Sequence, residues 1–124
     1  MKKTILLVDN EIDVQNRYFL QAEYDVLVAH DGKEGLELFR KKSIDLIITD
    51  IMMPNMNGYE ATRAIRSLSR EDARTIPIVA MSANAFTEDK VRCREAGMDG
   101  HLTKPIDSDK LIDALAKIMA AKEG

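Results

Sequence analysis

Three short runs of the chain are continuously apolar: Ile5 to Val8, Leu46 to Ile48, and Ile78 to Met81. Runs of this length without alternation suit strands buried on both faces, as in a parallel sheet. Val26 to Ala29 has the same length and β-branching, but Asp25 and His30 flank it, which predicts an edge strand. His101 to Thr103 makes a shorter fifth run. Between the runs the apolar positions change to helical spacing. Val14, Tyr18, Phe19 and Ala22 follow it, as do Leu36 and Phe39 after Gly32. Asn57 stands three residues before Glu60, a capping-box-like start, with Ala61, Ile65 and Leu68 following on one face. Thr87 precedes Glu88 and Asp89, acids that suit a helix N-terminus, and Gly97 sits where a glycine would stop that helix. Leu111, Ile112, Leu115, Ile118 and Met119 form a last apolar stripe.

The order reads β-α repeated five times. Strict alternation predicts an α/β fold: a parallel sheet with right-handed crossovers and helices on both faces, a three-layer sandwich. The pattern leaves the strand order open. With 124 residues and no internal repeat or Pro/Gly/Ser-rich linker, residues 1–124 are expected to form a single domain.

Composition narrows the class of function. The chain is 45% apolar and 31% charged, which argues against disorder. The single cysteine, Cys93, excludes an internal disulfide framework and a Cys-rich zinc site. A net charge of −3 gives no reason to expect a nucleic-acid partner, and Arg40-Lys41-Lys42 reads as a solvated helix end. No apolar run approaches the ~20 residues of a membrane span, and the stretch after Met1-Lys2-Lys3 is too short for a signal peptide. The expected compartment is cytoplasmic.

The informative residues are those that end the strands. The first run ends at Asp9-Asn10-Glu11, the second at Thr49-Asp50, the third at Ser82, and the fifth at Lys104-Pro105. In an open parallel sheet all strand C-termini lie on one edge, where ligands bind. Each residue alone has an ordinary explanation: Asp9 or Asn10 as a helix cap, Lys104 as a solvated lysine. Two acids, a hydroxyl and an ammonium at the ends of four buried strands call for a common one. Two carboxylates ~4 Å apart repel by ~4 kcal/mol at an effective dielectric of ~20, so such a pair calls for a cation. A hard divalent ion such as Mg²⁺ uses one or two carboxylates, several waters and a phosphate. Lys104 adds a positive charge and Ser82 a hydroxyl donor. Together these groups suit phosphoryl transfer to a carboxylate. Asp50 is the favoured nucleophile, because Ile51-Met52-Met53-Pro54 forms a loop that can expose it, whereas Asp9 beside Asn10 and Glu11 resembles a metal platform.

At this point the chain resembles the receiver domain of two-component response regulators, over about Thr4 to Met119. The landmarks are Leu7-Val8-Asp9-Asn10-Glu11, Asp31-Gly32, Asp50-Ile51-Met52-Met53-Pro54 with Asn57-Gly58, Met81-Ser82-Ala83-Asn84-Ala85, Ala96-Gly97-Met98-Asp99, and Lys104-Pro105. The fourth and fifth of these look most like receivers attached to hybrid sensor kinases. The resemblance implies a flavodoxin-like fold with strand order 2-1-3-4-5 and five helices. It implies that Asp50 accepts a phosphoryl group from a phosphohistidine on a histidine kinase or histidine phosphotransfer protein. Mg²⁺ would be held by Asp9, Asn10, Asp50 and the backbone carbonyl of Met52. Lys104 would contact the phosphoryl oxygens. Ser82 would swing toward them and His101 would turn inward behind it, switching the surface offered to a downstream protein effector. Such a domain is not an enzyme in its own right, although it promotes its own phosphorylation and dephosphorylation. It is expected to act as a monomer or weak dimer.

The chain departs from the family pattern in four places. Asn10 stands where a carboxylate ligand is usual, which removes one negative charge and predicts weaker Mg²⁺ binding. His101 stands where Tyr or Phe is frequent, and reads either as an amphipathic ring at the sheet edge or as a switch residue able to change charge near neutral pH. Ser82 replaces the commoner Thr and retains the hydroxyl. The segment from Asp9 to Asp31 is about one helical turn short. Asn10 also supports a competing reading, a pseudo-receiver that binds proteins without being phosphorylated. A phosphohydrolase is disfavoured because Met52 stands where a second acid would be needed. A nucleotide-binding domain is disfavoured because no glycine-rich loop follows the first strand.

Overall fold

The computed structural model describes residues 3–9, 24–51, 56–82, 87–103, 113–118 and 120. Five strands form one sheet: β1 (Thr4–Val8), β2 (Asp25–Ala29), β3 (Leu46–Asp50), β4 (Ile78–Ser82) and β5 (Gly100–Thr103). All pairings are parallel and the order is β2-β1-β3-β4-β5. The expected architecture and strand order are therefore present. The three continuous apolar runs are the three central strands. β3 and β4 are buried along their whole length and β1 at all but its first residue. The strand flanked by charges, β2, is an edge, with Asp25 exposed and the next three residues half-buried.

Helices α1 (Gly32–Lys41), α2 (Gly58–Arg66) and α4 (Thr87–Ala96) occupy the segments after β2, β3 and β4. Residues 113–118 are helical and are called α5. The helix expected around Val14 to Ala22 lies outside the described residues. A short helix, α3 (Asp72–Thr75), precedes β4; its four residues are too few for periodicity to reveal.

The two faces of the sheet carry separate cores. Leu6, Val8, Ile47, Ile78 and Ala80 face Phe39 of α1, Ile65 of α2, Ala73 of α3 and Cys93 of α4. Ile5, Leu7, Leu46, Ile48, Val79 and Met81 face Leu115, with Ile118 packed alongside. These are the three layers, and the period-2 alternation of a strand decides which residue enters which core.

Two local devices fix the helix ends. Asn57 caps α2: its side chain accepts from the Glu60 N–H at 2.9 Å, while Glu60 accepts from the Asn57 N–H at 3.2 Å. Gly97 ends α4 with φ of 100°, a left-handed conformation that favours glycine, and the next N–H, of Met98, returns to the Cys93 carbonyl at 2.9 Å. Arg66, the last residue of α2, ties these parts together. Its guanidinium donates to the Gly97 carbonyl, the Ala73 carbonyl and the Asp99 carboxylate. Asp99 in turn accepts from the Ile78 N–H at 2.9 Å, so the start of β4 is held by the same cluster.

Candidate functional site

Register places the predicted residues. Val8 pairs with Thr49, and the Asp9 N–H still donates to the Ala29 carbonyl at 3.0 Å, so the chain at Asp9 continues the β1 ladder. Asp9 and Asp50 are thus next-in-line residues on adjacent strands, whose backbones run about 4.8 Å apart. Alternation puts both on the face of Leu7 and Ile48. Asp50 pairs with Met81, and Ser82 follows. Ser82 pairs with Thr103, the residue before Lys104. Asp9, Asp50 and Ser82 therefore stand at one edge of the sheet, on three consecutive strands.

All three are buried, at 4%, 7% and 7% exposure, although carboxylates are seldom buried without compensation. The backbone of Asp50 is closely packed. Gly58 opens α2 directly against it. A Cβ on Gly58 would lie 2.5 Å from the Asp50 carbonyl oxygen and 3.0 Å from the Ile51 Cα. The Gly58 N–H donates to the Ile51 carbonyl at 3.0 Å, and the Thr49 hydroxyl donates to the Asp50 carbonyl at 3.0 Å. Helix α2 thus seats its first residue on the backbone that carries the Asp50 side chain.

On the next strand pair, the Ser82 Oγ lies 2.9 Å from the Nε2 of His101. Ala80 is the register partner of His101, so the ring stands on the Ala80–Ser82 row and reaches one step along it. His101 is half-buried and its ring is within hydrogen-bond distance of the Ser82 hydroxyl.

Asn10, Met52 and Lys104 lie outside the described residues. Among the described residues no cluster of three or more His, Cys, Asp or Glu side chains gathers to hold a metal. The described share of the predicted metal set is the pair Asp9 and Asp50. Sequence reasoning did not anticipate the Gly58 contact or the Arg66 cluster. Asn57-Gly58 was legible as a helix start, but a backbone-to-backbone approach leaves only a glycine as its signal.

Residues 5–116 match the family model of the response regulator receiver domain. The chain belongs to this family. Among curated relatives, the receiver is 43% identical over 93 residues to sensor histidine kinase RcsC of Salmonella typhi, covering 75% of this chain and 9% of the kinase. The chain thus spans about a tenth of the length of that relative. Among solved structures, the receiver superposes on Vibrio cholerae chemotaxis protein CheY4 with a TM-score of 0.88 and 31% identity, covering 95% of this chain and 99% of the other. It is also similar to the receiver domain of sensor histidine kinase PA1611 of Pseudomonas aeruginosa, with a TM-score of 0.79 and 32% identity, covering 97% of this chain and 99% of that one. That receiver holds a magnesium ion coordinated in its active-site cleft. The present receiver is thus a component of two-component signalling, and no described helix is long and apolar enough to cross a membrane.

Proposed function

We propose that this receiver, acting as a single unit over residues 1–124, is a phosphoacceptor switch with Asp50 as its nucleophile. The observation that carries the reading is the register that sets Asp9, Asp50 and Ser82 at one edge of the sheet, buried and on consecutive strands. An Asp50 carboxylate oxygen attacks the phosphorus of a phosphohistidine on a histidine kinase or phosphotransfer protein. The new O–P bond forms as the P–N bond breaks, the imidazole leaves with a proton from solvent, and Asp50 carries an acyl phosphate.

The donor set fits a magnesium ion. Two buried carboxylates offer only oxygen to a cation, and Mg²⁺ characteristically binds with one or two carboxylates, retained water and a phosphate. Asp9, Asn10, Asp50 and the Met52 carbonyl would hold it. When bound, the ion neutralises charge on the transferring phosphoryl oxygens. The rest falls to the chain itself. Lys104, following the β5 residue that pairs with Ser82, supplies a second cation to those oxygens. Ser82 supplies a hydroxyl donor. Gly58 and Thr49 hold the Asp50 backbone, so the carboxylate meets its donor from a fixed position. The product adds roughly −1.5 to −2 charge at the edge of β3, enough to bias a two-state rearrangement of the surface read by a downstream effector. Similarity to RcsC supports a place within a hybrid sensor kinase.

Incubation with Mg²⁺ and acetyl phosphate tests this by intact mass. The expected result is a gain of one phosphoryl group, absent in Asp50→Ala and without Mg²⁺. A protein that gains no mass under these conditions is a pseudo-receiver, the competing reading for which Asn10 is the support.

A further inference from the structure

The contact between Ser82 and His101 joins a hydroxyl, which has one hydrogen, to a ring nitrogen that either has a hydrogen or lacks one. The two cases aim the Ser82 hydrogen differently. If Nε2 is unprotonated, its lone pair takes the hydroxyl hydrogen. If Nε2 carries a proton, it donates to Oγ, and the hydroxyl hydrogen is directed elsewhere. We propose that His101 is a positioning residue whose Nε2 proton decides whether the Ser82 hydroxyl donates to a phosphoryl oxygen on Asp50. This deepens the phosphoacceptor reading and rests on it.

Three observations support the coupling. The atoms are 2.9 Å apart, within hydrogen-bond distance. Ser82 is 7% exposed, so bulk water does not level the two arrangements. His101 lines a groove of about 260 Å³ beside β5. Among the described residues, the charged and titratable groups lining that groove are Lys90, Cys93 and Arg94 from α4 and Asp99 from the turn before β5; Asp99 is paired with Arg66 at 3.0 Å. Phenylalanine at position 101 would fill the same place without supplying or removing a hydrogen. Linkage then makes the effect reciprocal: a phosphoryl group that needs the Ser82 hydrogen raises the proton affinity of His101, and a proton on His101 stabilises the phosphoryl-bound arrangement.

The test uses the whole chain, with beryllofluoride and Mg²⁺ as the phosphoryl mimic and acetyl phosphate as the donor. Nitrogen-15 NMR of the His101 ring should show Nε2 becoming protonated on addition of beryllofluoride. The ring's titration should move to higher pH by roughly one unit, about tenfold in proton affinity, as expected for a hydrogen bond in a charged site. In Ser82→Ala that movement should fall to less than half. His101→Gln keeps a donor that does not titrate, so the parent-to-variant ratio of phosphorylation rates should stay near one at low pH and fall roughly tenfold through neutrality. His101→Phe should flatten the pH dependence of the parent's phosphorylation rate and leave Ser82→Ala unchanged. The proposal is overturned if Nε2 does not respond to beryllofluoride, or if His101→Phe changes the rate of Ser82→Ala as much as that of the parent. If Asp50 is never modified at any pH, the phosphoacceptor reading fails and takes this one with it. If Asp50 is modified without regard to His101, only the present proposal falls.

Discussion

Substitution of Gly58 by alanine tests how the Asp50 backbone is held. The added Cβ would stand 2.5 Å from the Asp50 carbonyl oxygen, 3.0 Å from the Ile51 Cα and 3.2 Å from the Asp50 carbonyl carbon. All three atoms are backbone. They belong to the end of a strand paired on both sides, where no side chain can rotate out of the way. To bring the closest contact to 3.0 Å, the shortest separation that real Cβ atoms adopt, α2 and the end of β3 must separate by 0.5 Å. Overpacking of this kind costs about 1–3 kcal/mol. Alanine returns part of that, less than the ~1 kcal/mol of a helix interior because Gly58 is the first helical residue. A net loss of about 1–2 kcal/mol is expected, or roughly 3–10 °C in Tm for a chain of this size. Chemical denaturation measures the loss, and the rate of acetyl phosphate modification measures the accompanying displacement of Asp50, which should slow. Gly35→Ala is the control: its Cβ would meet the Val8 Cγ2 at 3.0 Å, a longer contact with a side chain rather than backbone, so the loss should be smaller and the rate unchanged. If Gly58→Ala matches the parent in both stability and rate, α2 is not seated on Asp50 as described.

Other outcomes follow from the same geometry. Arg66→Ala leaves the Gly97 and Ala73 carbonyls and the Asp99 carboxylate without their guanidinium donor; a loss of about 2–3 kcal/mol is expected by denaturation, with Arg66→Lys intermediate because it lacks the planar fork. Asn57→Ala removes the side-chain half of the α2 capping box, the acceptor for the Glu60 N–H, and should cost about 1 kcal/mol by the same measurement. Asn10→Asp adds a carboxylate to the proposed cation site and should tighten Mg²⁺ binding in a titration, unchanged affinity being the contrary result.

Much of this molecule was legible in its residues, for reasons that differ by element. The central strands could be read because burial on both faces demands unbroken apolar runs without charged flanks on both sides. β2 was legible as an edge because Asp25 and His30 cannot sit inside a sheet. The Asn57 cap was legible because its partners lie three residues apart. Contacts that depend on register or on distant segments were not. The Ser82–His101 bond joins residues 19 apart and exists only because β5 pairs with β4 in one particular alignment. Arg66 reaches residues 31 and 33 positions away, and no local pattern distinguishes it from a solvated arginine at a helix end. That Asp9, Asp50 and Ser82 end neighbouring strands at one edge was legible because a parallel sheet sends all its strand C-termini to one side.

The most direct measurement of the central claim is a crystal structure with Mg²⁺ and beryllofluoride bound. The account predicts the beryllium on an Asp50 carboxylate oxygen, fluorine within hydrogen-bond distance of the Ser82 hydroxyl and the Lys104 ammonium, and Mg²⁺ beside Asp9. Beryllofluoride bound elsewhere, or Lys104 directed away from Asp50, would contradict it.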